Sequence, residues 1–256
     1  MKKKISKLDL RILSSLNKND LKYNEEMEIF FSKSMGNNLD KLRNFAKYVP
    51  RQSLSNFLAK SEIFRKIKKI HGNIIECGVH LGGGLLTWGN LSAIYEPYNH
   101  NRKIVGFDTF VGFQEINKKD RNLEISKKKL KIGILKSSLS EVENSIELFD
   151  LNRPIGHISR VNIVPGNAKD TIPRYLKQNQ HLVVAMLYLD FDLYKPTKIA
   201  LKTFLPRMPK GSILAFDELN QKTWPGETLA LLEEFGIRNL KIERFNYAPS
   251  ISFAVL

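Results

Sequence analysis

From residue 73 onwards, short apolar runs that end in glycine or an acidic residue alternate with helix-like segments. This alternation limits the possible folds more than any other pattern in the chain. The apolar runs that predict strands lie at 73–78, 103–108, 161–164, 182–189 and 212–216. The run 182–189 is apolar almost throughout, which is typical of a strand buried on both faces. Strands that alternate with helices indicate a mostly parallel sheet with helices on both of its faces.

The two ends of the chain add to this α/β core. Residues 5–70 show apolar positions at helical spacing, so we expect an N-terminal helical extension over 1–70, followed by one domain over 71–256. Two further strands at 241–245 and 251–255, around a turn at Pro249, predict an antiparallel edge of the sheet.

Composition excludes several classes of protein. The 256 residues are 42% hydrophobic, which excludes a disordered chain. The single cysteine, Cys77, excludes an internal disulfide framework and a cysteine-based zinc site. The basic start resembles that of a signal peptide, but Lys7 and Asp9 interrupt any apolar region, and no run reaches the length of a membrane helix. We therefore expect a cytoplasmic protein without a membrane segment.

The net charge of +15 is concentrated in two places. Residues 1–70 hold 17 basic and 7 acidic side chains, and residues 114–136 hold 8 and 3. The second stretch predicts a loop or lid inserted into the domain. Three explanations of the charge stay open: a solvated surface, a docking surface for an anionic partner or phosphorylated substrate, and nucleic-acid recognition. The last is disfavoured because no helix-turn-helix, zinc-finger or RNA-recognition signature is present.

A glycine-rich turn follows the first predicted strand. Gly78 ends the strand, and Gly82-Gly83-Gly84 opens the next helix. Glycine lets the backbone approach a ligand closely, and a helix start supplies free N–H groups. The spacing differs from the G-x-G-x-x-G of dinucleotide-binding proteins. A tight strand-to-helix turn without a ligand is the alternative.

Two strand-end acids indicate the ligand that such a turn would hold. Asp108 ends the second strand, where a carboxylate accepts hydrogen bonds from ribose hydroxyls. Glu76 is placed to reach the amino group of an amino-acid moiety. S-adenosylmethionine, a nucleoside with a cationic amino-acid tail, fits both positions. Gly166-Asn167 follows the third strand and is placed to meet the adenine, with a simple turn residue as the alternative for Asn167.

Four acidic residues follow the next two strands. Asp190 and Asp192 come directly after the apolar strand, and Asp217 and Glu218 end the strand that follows. On an extended chain, side chains at i and i+2 point the same way. If the strands are neighbours, up to four carboxylates meet at one sheet edge, and an all-oxygen cluster suits Mg²⁺. The alternative is that Asp192 and Asp217 each cap the helix or turn that follows.

Four motifs occur together in the order of a known family. They are Ile75-Glu76-Cys77-Gly78-Val79, Gly106-Phe107-Asp108-Thr109-Phe110, Leu189-Asp190-Phe191-Asp192-Leu193-Tyr194 and Phe216-Asp217-Glu218. As a set they resemble the macrocin O-methyltransferase family over residues 70–250. The resemblance implies a Rossmann-like class I methyltransferase fold, S-adenosylmethionine and a metal as cofactors, and methyl transfer to a hydroxyl group, often that of a sugar.

The resemblance also implies residue roles. Asp190 matches a metal ligand, Asp192 the general base, and Asp217 and Glu218 the acids that complete the Mg²⁺ site. The residues expected to contact S-adenosylmethionine are Glu76, Gly78, Gly82, Gly83, Asp108, Thr109, Gly166, Asn167 and Asp190. Three positions depart from the family pattern, because Glu218, Phe191 and Asn167 stand where Asp, Gly and Asp are common.

The acceptor is expected to be a small and anionic sugar derivative, bound in part by Trp224 and Tyr194. A packed lid residue is the alternative for Trp224. The amphipathic N-terminal helices favour a homo-oligomer. The competing functions are an RNA-binding protein or RNA methyltransferase, and a scaffold that keeps the fold without catalysis. The first lacks the Asn/Asp-Pro-Pro-aromatic tetrapeptide of amino-methylating enzymes, and the intact acids argue against the second.

Overall fold

The computed structural model describes residues 18–121 and 130–256, and the chain divides into two compact units at Ser55. The described part of the first unit contains helices α1 (Lys18–Lys33) and α2 (Asn38–Arg43) and a 3₁₀ turn (Phe45–Lys47). Lys41 is buried in this unit. Its Nζ donates to the Phe31 carbonyl at 2.5 Å and lies 4.9 Å from the centre of the Phe31 ring, so the buried charge has partners.

Helix α3 (Arg51–Ile67) begins in the first unit, but most of it belongs to the second, Asn56–Leu256. Its residues Ile63, Phe64 and Ile67 are fully buried in the core of the second unit. The chain thus divides at Ser55 by its contacts, and the expected organisation into a helical extension over 1–70 and a domain over 71–256 stays a prediction. Predicted helix before residue 18 lies outside the described residues.

The second unit is built on one seven-stranded sheet. Its strands are β1 (Asn73–Cys77), β2 (Ile104–Asp108), β3 (Val161–Pro165), β4 (Val184–Leu189), β5 (Ile213–Phe216), β6 (Glu243–Arg244) and β7 (Ser252–Val255). Their order is β3-β2-β1-β4-β5-β7-β6, with the first five parallel and β7 antiparallel to both neighbours. This confirms the mostly parallel sheet with an antiparallel edge.

Five further helices connect the strands: α4 (Gly83–Tyr95), α5 (Leu139–Leu151), α6 (Ala168–Gln178), α7 (Tyr194–Phe204) and α8 (Pro225–Glu234). The sheet separates two hydrophobic clusters, because alternate strand residues face opposite sides. Ile74 and Met186 pack on one side with α3 and α4, and Ile75 and Leu187 pack on the other with α6 to α8. Every residue of β4 is buried, as its apolar run predicts.

The sequence pattern predicts neither α5 nor α6. The insert at 114–136 is described only at its ends, where Asp120 is buried and accepts from the backbone N–H groups of Asn117 and Tyr194. Its role as a lid stays a prediction. In the described ranges, none of the helices combines the length and hydrophobicity needed to cross a membrane. The homo-oligomer and the cytoplasmic location also stay predictions.

Candidate active site

Strands β1, β4 and β5 end side by side at the carboxyl edge of the sheet. The Asp190 N–H donates to the Cys77 carbonyl at 2.8 Å, and the Asp217 N–H donates to the Leu189 carbonyl at 3.0 Å. The glycine turn after β1 and the acidic residues after β4 and β5 are therefore direct neighbours. This edge is where open α/β sheets bind their ligands.

The glycine turn is built so that only glycine fits at its first position. Gly78 has φ +103°, and a Cβ atom there would overlap the Asp190 carbonyl oxygen. Gly82, at φ +86°, precedes helix α4 and provides no side-chain cap. A Cβ atom at Gly83 would meet nothing within 4 Å, so open space adjoins the first turn of α4. An uncapped helix start beside open space suits an anionic group such as a ligand carboxylate.

The Asp108 carboxylate holds this turn in place. One oxygen accepts from the backbone N–H groups of Val79 at 2.8 Å and His80 at 2.9 Å, and the other accepts from Phe110 at 2.7 Å. Asp108 is half-buried, so the residue keeps some exposure besides these three hydrogen bonds. A turn-holding role is thus observed, and the expected contact with a ribose stays a prediction.

Glu76 lies beneath the turn and not on its surface. The residue is 1% exposed, and its Oε1 lies 3.6 Å from Lys60 Nζ. A Cβ atom at Gly84 would overlap this carboxylate, so glycine lets α4 start directly above it. Burial raises the pKa of Glu76 to about 7, against the opposing effect of the Lys60 charge. Its expected contact with an amino group stays a prediction.

The acidic residues after β4 and β5 share one electrostatic environment. Tyr188 Oη donates to Asp217 Oδ1 at 2.8 Å, and the Glu218 N–H donates to Glu227 Oε2 at 3.0 Å. Burial raises the pKa of Glu227 well above its ordinary value, and the charges of Glu218, Asp190 and Asp217 raise it further. Negative charge therefore accumulates here, which is the condition that a hard cation relieves.

The structure corrects one premise of the predicted convergence. β4 ends at Leu189, and Asp192 has φ +60°, so the chain from Asp190 to Asp192 is not extended. The two side chains therefore do not follow the i, i+2 rule, and Asp192 is 1% exposed. Within 18–121 and 130–256, no three or more His, Cys, Asp or Glu side chains are grouped as a metal site. Donor chemistry fits Mg²⁺, and the metal assignment stays a prediction.

The residues after β2 and β3 lie on the same edge. Thr109 Oγ1 donates to the Gly112 carbonyl at 2.8 Å, and the Gly166 N–H donates to the Asp108 carbonyl at 2.8 Å. Asn167 caps α6 by accepting from the Lys169 N–H at 3.1 Å, and its Nδ2 donates to Gln114 Oε1 at 2.6 Å. Asn167 thus acts as a turn residue here, and its contact with adenine is untested.

The two predicted acceptor residues have different surroundings. Trp224 is half-buried and meets Phe113 edge-to-face, with ring centres 6.1 Å apart. Tyr194 is buried, and its hydroxyl donates to Glu233 Oε2 and accepts from Lys119 Nζ at 3.2 Å. These contacts support a structural role for Tyr194, and the assignment of Trp224 to the acceptor site stays a prediction.

Two site residues were missed. Lys60 has the pattern of a solvent-facing lysine in an amphipathic helix, and Glu227 has that of an acid in a helix's first turn. No sequence signal marks Lys60. For Glu227, the only signal is its position nine residues after Glu218 and three residues after Trp224, the predicted acceptor residue.

Fold and site together define a Rossmann-like class I methyltransferase. The family model described as "Macrocin-O-methyltransferase (TylF)" matches residues 13–235. The chain therefore belongs to the macrocin O-methyltransferase family, which confirms the resemblance and the fold that it implies.

Relatives agree with this assignment. The crystal structure of CalS11, a calicheamicin methyltransferase, is 30% identical with a TM-score of 0.88, and the match covers 94% of this chain and 93% of that one. A structure of CalS11 without ligand, described as a TDP-rhamnose 3′-O-methyltransferase, is 28% identical with a TM-score of 0.80, over 94% and 95% of the two chains.

A curated relative from Streptomyces olivaceus is 26% identical over 154 residues, which are 58% of this chain and 53% of the relative. It is 8-demethyl-8-(2,3-dimethoxy-α-L-rhamnosyl)-tetracenomycin-C 4′-O-methyltransferase. The match thus spans about half the length of that protein. These relatives give no support to the RNA-binding alternative.

Proposed function

We propose that this chain is an S-adenosylmethionine-dependent O-methyltransferase that methylates a hydroxyl group of a nucleotide-linked sugar with the help of Mg²⁺. The observation that carries the proposal is the direct adjacency of the glycine turn after β1 to Asp190 and Asp217. Family membership supports the reaction class, and two relatives with rhamnose in their names support a sugar acceptor.

The proposed cofactor pocket lies over the start of α4. The N–H groups of its first turn would receive the methionine carboxylate, since Gly82 gives them no side-chain cap and Gly83 leaves space beside them. Asp108 would accept from ribose hydroxyls on the side that its three backbone partners leave open. Bound here, S-adenosylmethionine supplies an electrophilic methyl group at the carboxyl edge of the sheet.

The proposed chemistry uses the acids beside this pocket. Asp190, Asp217 and Glu218 would hold Mg²⁺, which lowers the pKa of a nearby hydroxyl group. Asp192 takes the hydroxyl proton while the C–S bond breaks and the new C–O bond forms. An aspartate alone is a weak base for a sugar hydroxyl, so the carboxylate cluster and the base belong to one mechanism.

Trp224 and Phe113 would form one wall of the acceptor pocket. Their rings meet edge-to-face, and aromatic rings offer a flat apolar surface to a sugar ring. A diphosphate on the acceptor would also explain the basic stretch 114–136. The excess of lysine and arginine in this stretch would attract the negatively charged acceptor.

The proposal is tested by incubating the protein with S-adenosylmethionine, Mg²⁺ and a panel of nucleotide sugars that includes TDP-rhamnose. Formation of S-adenosylhomocysteine is measured by mass spectrometry. We expect turnover with at least one sugar nucleotide, a loss of about a hundredfold or more in Asp192→Asn, and wild-type turnover in Glu147→Gln, an exposed carboxylate on α5. Wild-type turnover in Asp192→Asn would exclude Asp192 as the base.

A further inference from the structure

A second cavity lies at the opposite edge of the sheet, where β1, β2 and β4 begin. Its volume is about 700 Å³, within the range of small-molecule sites. The lining of the cavity contains Gly72, which precedes β1, and Asn73, its first residue. It also contains Lys103, which precedes β2, and Leu182 and Val183, which precede β4. The length of the strands separates this cavity from the candidate active site, which lies where the same strands end.

The lining is positively charged. It includes Lys68, Lys69, Arg102 and Lys103 together with three histidines, and among the described residues it contains no aspartate or glutamate. Arg102 is buried and committed to the fold, since it pairs with Glu96 and donates to the carbonyls of Ile67, Ile70 and Gly72. The charges of the three lysines remain for a ligand, because within the described residues none of them forms an ion pair.

Two of the three lysines, Lys68 and Lys103, have contacts that orient them without neutralising them. Lys68 Nζ lies 5.3 Å from the centre of the Tyr95 ring, and Lys103 Nζ donates to the Ser159 carbonyl at 2.6 Å. Partial burial lowers the pKa of Lys103, and the nearby charges of Arg153 and Arg160 lower it further. Asp150 acts in the opposite direction but forms an ion pair with Arg153, so this edge keeps an excess of positive charge.

Two asparagines add hydrogen-bond donors to the lining. Asn73 Oδ1 accepts from the Lys103 N–H at 2.9 Å, and Asn99 Oδ1 accepts from the Arg102 N–H at 3.3 Å. With the oxygen atoms engaged in this way, the NH₂ group of each side chain is the part that remains for another partner. Cationic groups and amide donors without a facing acid are the chemistry that recognises phosphate.

We propose that this cavity is a second ligand site, distinct from the active site, that binds a small molecule through a diphosphate group. Two features favour a small ligand over single-stranded RNA. The cationic groups surround a cavity of limited volume. Within 18–121 and 130–256, its lining contains no Phe, Tyr or Trp on which successive bases would stack. The volume and the charge of the cavity therefore suit the phosphate groups of a small ligand.

The site is tested by isothermal titration of the full chain with inorganic pyrophosphate at fixed ionic strength. The proposed acceptor also carries a diphosphate, so the site is assigned by variants and not by the wild type alone. Lys68→Gln with Lys69→Gln removes two charges from the lining, and Lys177→Gln with Lys202→Gln removes two exposed charges from α6 and α7 outside it. We expect about a tenfold loss of affinity in the first pair and less than about twofold in the second.

Three results would overturn the proposal. The first is no saturable binding of pyrophosphate to the wild type, and the second is an equal loss in both double variants, which would reflect net charge alone. The third is selective RNA binding. In that case Lys68→Gln with Lys69→Gln would weaken the binding of a single-stranded RNA oligonucleotide and leave pyrophosphate binding unchanged. None of these results depends on methyl transfer, so the cavity and the proposed enzyme activity stand or fall separately.

Discussion

Lys60 Nζ lies 3.6 Å from Glu76 Oε1 in the interior of the second unit, where the two side chains are 11% and 1% exposed. The lysine also lies over two rings, 4.5 Å from the centre of Tyr188 and 5.3 Å from that of Trp88. Helix α3 thus supplies a cation to the strand that ends in the glycine turn. The segment before the sheet therefore takes part in supporting the candidate active site.

The buried carboxyl of Glu76 is expected to make stability depend on pH. Its pKa is raised from 4.5 to about 7, so the folded state binds this proton more tightly than the unfolded chain does. The contribution is fully present below about pH 4.5 and is lost as the pH rises to about 7. Relative to Glu76→Gln, the wild-type free energy of unfolding should fall by about 3 kcal/mol over this interval. Urea unfolding across the interval measures it, and parallel pH curves would contradict it.

Lys60→Met is expected to move that pH dependence upwards. Because the Lys60 charge lowers the pKa of Glu76 against the effect of burial, its removal raises that pKa above about 7. The free energy of unfolding is measured as a function of pH for Lys60→Met and for the double variant Lys60→Met with Glu76→Gln. The difference between the two curves reports the titration of Glu76. Lys66→Met, on the same helix and against Phe253, is the control. An unchanged pH interval in Lys60→Met would show that the pair is not coupled.

Gly83→Ala is expected to weaken S-adenosylmethionine binding without loss of stability. The added methyl group meets no protein atom and the site is helical, so unfolding free energy should stay equal or rise by about 0.5–1 kcal/mol. If the cofactor lies over this turn, its KM should rise about tenfold with little change in kcat.

Gly78→Ala is the contrasting variant in the same turn. The backbone at this position has φ +103°, and the added Cβ atom would overlap the Asp190 carbonyl oxygen. The free energy of unfolding should therefore fall by about 3 kcal/mol or more. If Gly83→Ala leaves the KM for S-adenosylmethionine unchanged, the proposed position of the cofactor is wrong.

Tyr194→Phe separates a structural role from an acceptor role. The hydroxyl lies between Glu233 and Lys119 and connects α7 to α8 and to the 3₁₀ turn at 118–120. Loss of this hydrogen bond should cost about 1 kcal/mol of stability and leave the KM of the sugar acceptor unchanged. Trp224→Ala should instead raise that KM. A raised acceptor KM in Tyr194→Phe with unchanged stability would restore the sequence-based assignment.

The sequence predicts the sheet well because its strands are buried and short. The runs at 73–78, 103–108 and 182–189 give β1, β2 and β4 within two residues, since burial demands apolar side chains there. Helices α5 and α6 were not assigned. α6 carries polar residues on its outer face and Pro173 in its interior, which weakens the local signal.

The sequence predicts which strand ends form the candidate site, but it does not predict the directions of the side chains at those ends. Adjacent strands bring Asp190 and Asp217 together, as the crossover rule predicts. The left-handed backbone of Asp192 and the pairing of Glu76 with Lys60 depend on tertiary packing, which spacing along the chain does not encode.

The most direct test of the central claim is Mn²⁺ binding, followed by electron paramagnetic resonance in the presence of S-adenosylhomocysteine. If Asp190, Asp217 and Glu218 hold a divalent cation beside the glycine turn, the wild type should bind a single Mn²⁺ that Mg²⁺ displaces. Asp217→Asn with Glu218→Gln should lose it while still binding S-adenosylhomocysteine, and Glu147→Gln should keep it. Equal Mn²⁺ binding in the wild type and the double variant, or none in either, would contradict the account.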